Sequence, residues 1–276
     1  MSSPLPEIRE GDAPHEIEVI YADIRHTMRL PLVNLIYRHF ATIPGVLPHT
    51  WGWVREMAIS GALEAALDRL NRSLQVPQLE PFELASVVYL SDVNRTAIKR
   101  TLEAYNRGNG LNVIALTAIK MDLHKRVRGT LKISRATSED GVLPLPRLLK
   151  FSELKPDVAD LVATISHLHD GTSGVIPSLY LHLANWPEFL STACSRIAPL
   201  LKDGSIERAR RNVVDLAVVE AKGLLAALPS TARVAGYSDQ VVATLDQFIN
   251  YVIPEMLPVG LALDRAWPKQ FDKSLC

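Results

Sequence analysis

The chain has 276 residues, of which 47% are hydrophobic, so it can bury a substantial core as one large domain or two small ones. Its 30 Lys and Arg residues balance 30 Asp and Glu residues, and no long run of one sign occurs. Nucleic acids and anionic membranes require concentrated positive charge on a protein, so this balance argues against both partners. We therefore expect a small molecule or another protein as the partner.

The cysteine content and the least charged stretch of the sequence indicate where in the cell the protein is expected. Cys194 and Cys276 are far apart and form neither a disulfide framework nor a CxxC pair. The beginning of the sequence is polar and acidic, where a secretory signal would be basic and then apolar. Residues 171–187 are the least charged stretch, but Gly174 and Pro177 interrupt it and it is too short to span a bilayer. These features predict a cytoplasmic protein.

Apolar residues recur at the helical period along most of the chain, and nothing alternates convincingly with period two. The predicted helices of the first part cover residues 14–29, 31–43, 48–59, 63–74, 81–90, 92–105 and 111–125. Residues 126–156 break this pattern with basic residues, a polar turn and prolines, which predicts an exposed crossing segment. Helical patterns then resume and continue to about residue 267.

Two short matches indicate that the sequence contains an internal repeat. Residues 37–44, YRHFATIP, match residues 180–187, YLHLANWP, at Tyr, His, Ala and Pro. Residues 90–92, LSD, match residues 237–239, YSD, in the same order along the chain and at nearly the same offset. Matches that keep their order and offset favour duplication over chance.

Duplication predicts an all-α fold made of two tandem helical repeats that pack as an intramolecular pseudo-dimer, as the subunits of a symmetric dimer would. The first repeat covers residues 1–125, the crossing linker residues 126–156, and the second repeat residues 157–276. We expect the functional site to lie between the two repeats. The sequence also leaves a homodimer of the whole chain open.

Motifs for metal and nucleotide chemistry are absent from the sequence. His167 and His169 are two residues apart and cannot share one helical face, and no HExxH pattern or Cys/His cluster accompanies them. His39 and His182 occupy matching places in the repeats and are interpreted as structural histidines that donate to helix-end carbonyls. Cys194 lies in an apolar helical context and is interpreted as a buried residue. We expect no metal and no cofactor.

An apolar pocket between helices with a few amide, hydroxyl and carboxylate groups would leave no short motif. Residues 170–174, DGTSG, and residues 105–109, YNRGN, are the best candidates for such groups. The alternative interpretations are a surface loop with an N-cap for the first and a helix C-cap for the second.

Three longer runs resemble the group I 2-haloacid dehalogenase family. Residues 24–34, IRHTMRLPLVN, and 38–45, RHFATIPG, resemble its N-terminal repeat, and residues 177–187, PSLYLHLANWP, resemble its second repeat. The resemblance covers nearly the whole chain, from Ile8 to about Trp267. It implies an all-α pseudo-dimer in one chain that acts without cofactor or metal. It also implies hydrolysis of short 2-halocarboxylic acids, in which an aspartate activates water for attack on the α-carbon.

The resemblance also implies which residues form the site. The family lines its pocket with bulky apolar and aromatic side chains near the start of the second helix, where this sequence has aliphatic residues. The candidate substrate-binding residues are Leu32, Leu35, Tyr105, Asn106, Asn109, Ser178 and Tyr251. The partner they imply is a small-molecule carboxylic acid.

The catalytic aspartate is implied in the corresponding part of the second repeat. Residues 175–180 contain Ser178 in its place but no acid, so Asp170, a few residues upstream, is the candidate base. The first hypothesis is a hydrolytic dehalogenase. The alternative is a family member without its base, which binds a small carboxylic acid or serves another non-dehalogenating role. The sequence also has a general likeness to helical peroxidases of the AhpD kind. That class requires a CxxC pair, which this sequence does not contain.

Overall fold

The computed structural model describes residues 5–83, 89–123, 143–169, 175–227 and 237–268. These residues form helices and contain no strand. The helices are α1 (His15–Met28), α2 (Leu35–Phe40), α3 (Val46–Ile59), α4 (Ala62–Ser73), α5 (Asp92–Asp122), α6 (Pro156–Leu168), α7 (Ser178–Leu183), α8 (Pro187–Lys202), α9 (Ser205–Ala227), α10 (Asp239–Gln247) and α11 (Ile253–Arg265). The predicted all-α class is confirmed. Within the described residues, no helix combines the length and the apolar character that crossing a membrane requires.

The helices follow the same order in the two halves of the chain. A 3-10 turn (Glu10–Asp12 or Phe151–Glu153) precedes α1 and α6, and the six-residue helices α2 and α7 come next. Then α3 and α4 correspond to α8 and α9, and each half ends in a long helical rod. The rods are α5 in the first half and, in the second, α10, a π-helical turn and α11. Both rods begin at a serine cap, since the Ser91 and Ser238 hydroxyls accept backbone N–H groups of the first turn.

The two rods connect two hydrophobic clusters. The first cluster surrounds Tyr21 and Trp51, and the second surrounds Phe189 and Trp267. The early part of α5, including Ile98, belongs to the second cluster, whereas its later part belongs to the first. The second rod also passes from one cluster to the other, in the reverse order. Each half therefore completes the core of the other, and neither rod can be removed without opening both cores.

The prediction that two helices cover residues 92–105 and 111–125 is wrong, because α5 runs through this region without a break. The middle of α5 is buried, and a continuous helix satisfies its backbone polar groups internally. A Cβ atom on Gly108 would lie 2.7 Å from Asn34 Oδ1, and one on Gly110 would lie 2.4 Å from Leu67 Cδ1. These glycines allow close packing on α5 rather than a turn.

Other boundaries also differ from the prediction. The second helix begins at Leu35 rather than Pro31, because Asn34 has an extended backbone (φ −64°, ψ 150°). A helix is predicted over residues 81–90, but the described residues of this range, 81–83 and 89–90, are not helical. In the predicted crossing segment, residues 126–142 lie outside the described residues, and residues 143–150 have no regular secondary structure.

A π-helical turn, Phe248–Val252, interrupts the second rod just before α11. Pro254 follows this turn and has no N–H group, so the carbonyl oxygen of Asn250 lacks its α-helical donor. Arg210 of α9 donates to that carbonyl instead. The proline therefore explains a local irregularity in the rod, and such turns are frequent at functional sites.

The packing of α5 predicts opposite effects for two glycine substitutions. Gly110→Ala is expected to lower the free energy of unfolding by about 1–3 kcal/mol, because the new methyl group overlaps buried Leu67. Gly223→Ala in α9, where nothing lies within 4 Å of the new Cβ, is expected to raise it by up to about 1 kcal/mol through helix propensity. Urea unfolding followed by circular dichroism measures both. Equal stability of the two variants would contradict the assigned packing.

Candidate functional site

A small cavity lies where the two halves meet. The space in it that is open to water-sized molecules is about 40 Å³, which exceeds the ~10–15 Å³ that a single water needs. Its lining comes from the starts of α2 and α7, the middle of α5 and the π turn with α11. The lining residues are Asn34, Leu35, Ile36, Tyr105, Asn109, Pro177, Ser178, Leu179, Phe248, Val252, Ile253 and Met256.

The two halves contribute different chemistry to this cavity. The polar groups of the first half are Asn34, Asn109 and Tyr105, and the second half adds only the hydroxyl of Ser178. The other lining residues are apolar. None of the lining residues within the described ranges is a carboxylic acid. The cavity therefore offers hydrogen-bonding groups on one side and an apolar wall on the other, which suits a short molecule with one polar end.

Two buried asparagines, Asn34 in the cavity lining and Asn106 on α5, have amide atoms without a partner among the described residues. Asn34 stands at the start of α2, but its side chain does not cap that helix, and its Oδ1 atom has no partner among the described residues. Neither amide atom of Asn106 has one. Asn106 lies against α11, where a Cβ on Gly260 would be 2.2 Å from its Oδ1. Such groups normally find a hydrogen-bond partner, so a water or a ligand is expected there.

A second, larger cavity of about 340 Å³ lies on the other side of Tyr105, which lines both. Six charged side chains contribute to its lining, which consists of Arg9, Glu10, Gly11, Asp12, Pro31, Leu32, Arg38, Tyr105, Leu145, Pro146, Arg147, Leu148, Lys150 and His182. The Tyr105 ring therefore separates a small, mostly apolar cavity from a wide, charged one.

The hydrogen bonds of His182 fix the direction of the Tyr105 hydroxyl. His182 Nε2 lies 2.6 Å from the carbonyl oxygen of Pro146, which only accepts, so Nε2 carries the hydrogen. Burial lowers the pKa of His182 below its usual value, which keeps the ring neutral near pH 7. Nδ1 is then an acceptor, and the Tyr105 hydroxyl, 3.3 Å away, donates to it.

A buried polar chain lies close to α7 and α11. His169 Nε2 is 2.6 Å from the Tyr180 hydroxyl, and His169 Nδ1 is 3.1 Å from Glu255 Oε1. All three side chains are buried, with Glu255 5% exposed. Glu255 directly precedes Met256 of the cavity lining, so it is the described buried acid nearest in sequence to the cavity wall.

The structure brings four of the predicted binding residues together. Leu35, Tyr105, Asn109 and Ser178 line the small cavity. Leu32 lines the second cavity, whereas Asn106 lines neither cavity and lies against Gly260 of α11. The ring of Tyr251 packs under Arg210, with the guanidinium carbon 4.9 Å from the ring centre, and does not line the cavity. Asp170 lies outside the described residues.

Sequence reasoning missed Asn34, Arg38 and Glu255. Arg38 gave no signal, because an arginine at a helical position is usually solvent-exposed, yet it is 2% exposed here. Asn34 lies inside the helix that the sequence predicts over residues 31–43, so it did not stand out as a site residue. Glu255 lies between two prolines of a strongly apolar helix, an unusual place for an acid, and that signal could have found it.

His39, His182 and Cys194 are all buried in the structure. His39 and His182 do bind carbonyls, those of Pro6 and Pro146, but these lie in non-helical segments rather than at helix ends. Cys194 is 4% exposed, and burial raises the pKa of its thiol to about 12, which confirms it as a buried residue rather than a nucleophile. Within the described residues, no group of three or more His, Cys, Asp or Glu is placed to hold a metal ion.

Comparison with known proteins gives curated relatives and solved structures of one kind. No family model matches the chain. It is 30% identical over 245 residues to a configuration-inverting 2-haloacid dehalogenase from Alcaligenes xylosoxydans xylosoxydans, covering 83% of this chain and 79% of the relative. A configuration-inverting 2-haloacid dehalogenase from Pseudomonas sp. (strain 113) is 25% identical over 203 residues, covering 68% of this chain and 65% of the relative.

Solved structures support the same fold. A D-2-haloacid dehalogenase mutant superposes with a TM-score of 0.69 at 20% identity and covers 95% of this chain and 94% of its own. The complex of a D-2-haloacid dehalogenase with L-LA superposes with a TM-score of 0.67 at 20% identity and covers 99% of both chains.

The environment of His182 predicts a pH dependence of stability. Its folded-state pKa lies below the unfolded value of about 6.5, so between these two values the unfolded chain binds the proton and the folded protein does not. The free energy of unfolding should therefore fall as the pH is lowered from 7 through this window, with a slope of up to about 1.4 kcal/mol per pH unit from this residue. His182→Gln should reduce the slope. His26→Gln, at an exposed histidine of α1, is the control that should leave it unchanged.

Proposed function

Because the chain belongs to the family of configuration-inverting 2-haloacid dehalogenases, we propose that it hydrolyses the carbon–halogen bond of short 2-halocarboxylic acids in the cavity between its halves. The observation that carries this proposal is the relative that is 30% identical over 83% of the chain. The cavity supports it independently, since its polar side suits a carboxylate and its apolar side suits the alkyl and halogen end.

The reaction needs few groups from the protein. Water attacks the α-carbon as the halide leaves from the opposite side, the configuration inverts, and a 2-hydroxy acid is released. A base takes one proton from the attacking water, and the halide carries away the bonding electron pair. The protein must therefore bind the carboxylate, exclude bulk water and supply one base.

We propose Asp170 as this base. It is the acidic residue of the stretch 169–183, which includes the Pro177, Ser178 and Leu179 wall of the cavity. The preceding residue, His169, is buried, and its Nε2 lies 2.6 Å from the Tyr180 hydroxyl. The proposal is further supported by the lack of an acid among the described lining residues, because the hydrolytic reaction requires one.

We also propose that the two halves are diverged repeats, with residues 1–125 and 157–276 related as a pseudo-dimer across the linker at residues 126–156. The identical order of helices and the matching serine caps at Ser91 and Ser238 support this proposal. Superposition of residues 8–125 on residues 157–267 in a crystal structure tests it. The cytoplasmic location and a homodimer remain predictions from the sequence.

The base is tested by Asp170→Asn. This variant should lower the rate of halide release from 2-chloropropionate by about 10²–10⁴-fold, the range typical of a lost general base, with little change in thermal stability. Ion chromatography of the released chloride measures the rate. Asp160→Asn, at an exposed acid of α6, is the matched control and should be as active as the parent.

Glu255→Gln separates Asp170 from the other candidate acid. If Asp170→Asn keeps its activity and Glu255→Gln loses it, the base is Glu255 and the Asp170 assignment is wrong. If the unmodified protein binds propionate but releases no halide from either enantiomer of 2-chloropropionate, the binding-protein alternative replaces the dehalogenase.

A further inference from the structure

Arg38 is a buried cation that reaches from the first half of the chain to the cavity wall of the second half. Its side chain is 3% exposed. Nε pairs with Glu7 at 2.6 Å, Nη1 donates to the carbonyl of Val33, and Nη2 donates to Ser178 Oγ at 3.0 Å. Arg38 itself lines the charged cavity, whereas Ser178 lines the small one.

The direction of the bond between Arg38 and Ser178 is set by chemistry. A guanidinium has donors only, so the Ser178 oxygen must accept. The hydroxyl hydrogen of Ser178 is then free to point elsewhere, and within the described residues no other group bonds to this hydroxyl. Ser178 is 8% exposed and lies on the cavity wall, so the hydrogen is available to an acceptor inside the cavity.

The charge of Arg38 adds to this effect. Glu7 is its ion-pair partner, but Glu7 also pairs with Arg9 at 2.9 Å, so one carboxylate faces two guanidinium groups. In a buried environment the field of such a cation is weakly screened. In the match of residues 37–44 with residues 180–187, the position of Arg38 corresponds to Leu181. The positive charge therefore lies on one side of the cavity only, so the electrostatic potential is more positive on that side.

We propose that Arg38 is a positioning residue for the substrate carboxylate, which holds Ser178 as a donor towards the cavity and makes the cavity selective for anions over neutral ligands. This inference rests on the proposed function in its choice of ligand. Lysine cannot replace the guanidinium fully, because one ammonium group cannot reach Glu7, the Val33 carbonyl and Ser178 in a planar fork.

Ligand binding without turnover tests the proposal. Propionate, an unreactive anion, and propionamide, its neutral counterpart, are titrated into the full-length protein and the dissociation constants are measured by NMR. Arg38→Met and Ser178→Ala should each raise the dissociation constant of propionate at least tenfold and change that of propionamide less than twofold. The double variant should lose no more than the stronger single variant, because Arg38 acts through Ser178.

Arg9→Met is the matched control. Arg9 shares Glu7 with Arg38 but donates to the Leu148 carbonyl instead of Ser178, so this variant should bind propionate as the parent does. Arg38→Lys keeps a positive charge and should recover part of the affinity lost in Arg38→Met. Thermal unfolding identifies any variant that fails to fold. If Arg38→Met does not fold, Arg38→Lys tests the proposal by itself and should bind propionate with an affinity between those of the parent and Ser178→Ala.

Two outcomes would overturn the proposal. One is an equal loss of propionate and propionamide affinity in Arg38→Met, which would show that Arg38 only maintains the shape of the cavity. The other is an equal loss of propionate affinity in Arg9→Met and Arg38→Met. Failure of the proposed function is distinguishable, because the protein would then release no halide while still binding propionate through Arg38.

Discussion

The structure depends on the close approach of the two helical rods, at the contact between α5 and α11. A Cβ on Gly260 would overlap the side chain of Asn106, so the helices can approach this closely only because this glycine has no side chain. The N-terminal part of each rod lies in the hydrophobic cluster of the other half. The halves are therefore interlocked, and the cavity beside the contact cannot form in either half alone. A site at such a junction takes its walls from rigid, buried helices, which favours precise positioning of a small ligand.

The cavity gains its polarity from unequal contributions of the two halves. The polar side chains of Asn34, Tyr105 and Asn109 come from the first half, whereas the second half contributes mainly apolar residues and Ser178. Arg38 reinforces this difference from behind the wall, and Tyr105 closes the cavity towards the charged one. A perfectly symmetric pair of repeats would present the same groups to both ends of a ligand. The unequal sides of the cavity fit the proposed binding of a 2-halocarboxylic acid, because they offer different surroundings to its carboxylate and its halogen.

The buried amides of Asn34 and Asn106 lower the stability of the fold, because some of their atoms lack hydrogen-bond partners among the described residues. Each buried polar group without a partner costs about 1–3 kcal/mol, and the amides of Asn34 and Asn106 both contain such atoms within the described residues. Apolar replacements of similar size would pack the same space at a lower cost. Asn34 lines the cavity, which agrees with a place where a ligand or water supplies the missing bond.

The sequence by itself determined the all-α class, the approximate positions of the first four helices and the family, because helical periodicity and local matches are properties of neighbouring residues. It also identified Leu35, Tyr105, Asn109 and Ser178, which the structure brings to one cavity. Only the tertiary structure decided that α5 is continuous, because the glycines between the two predicted helices are required by close packing with residues distant in sequence. It also decided the role of Arg38, since a buried cation beside Ser178 depends on a contact between the two halves that no local pattern encodes.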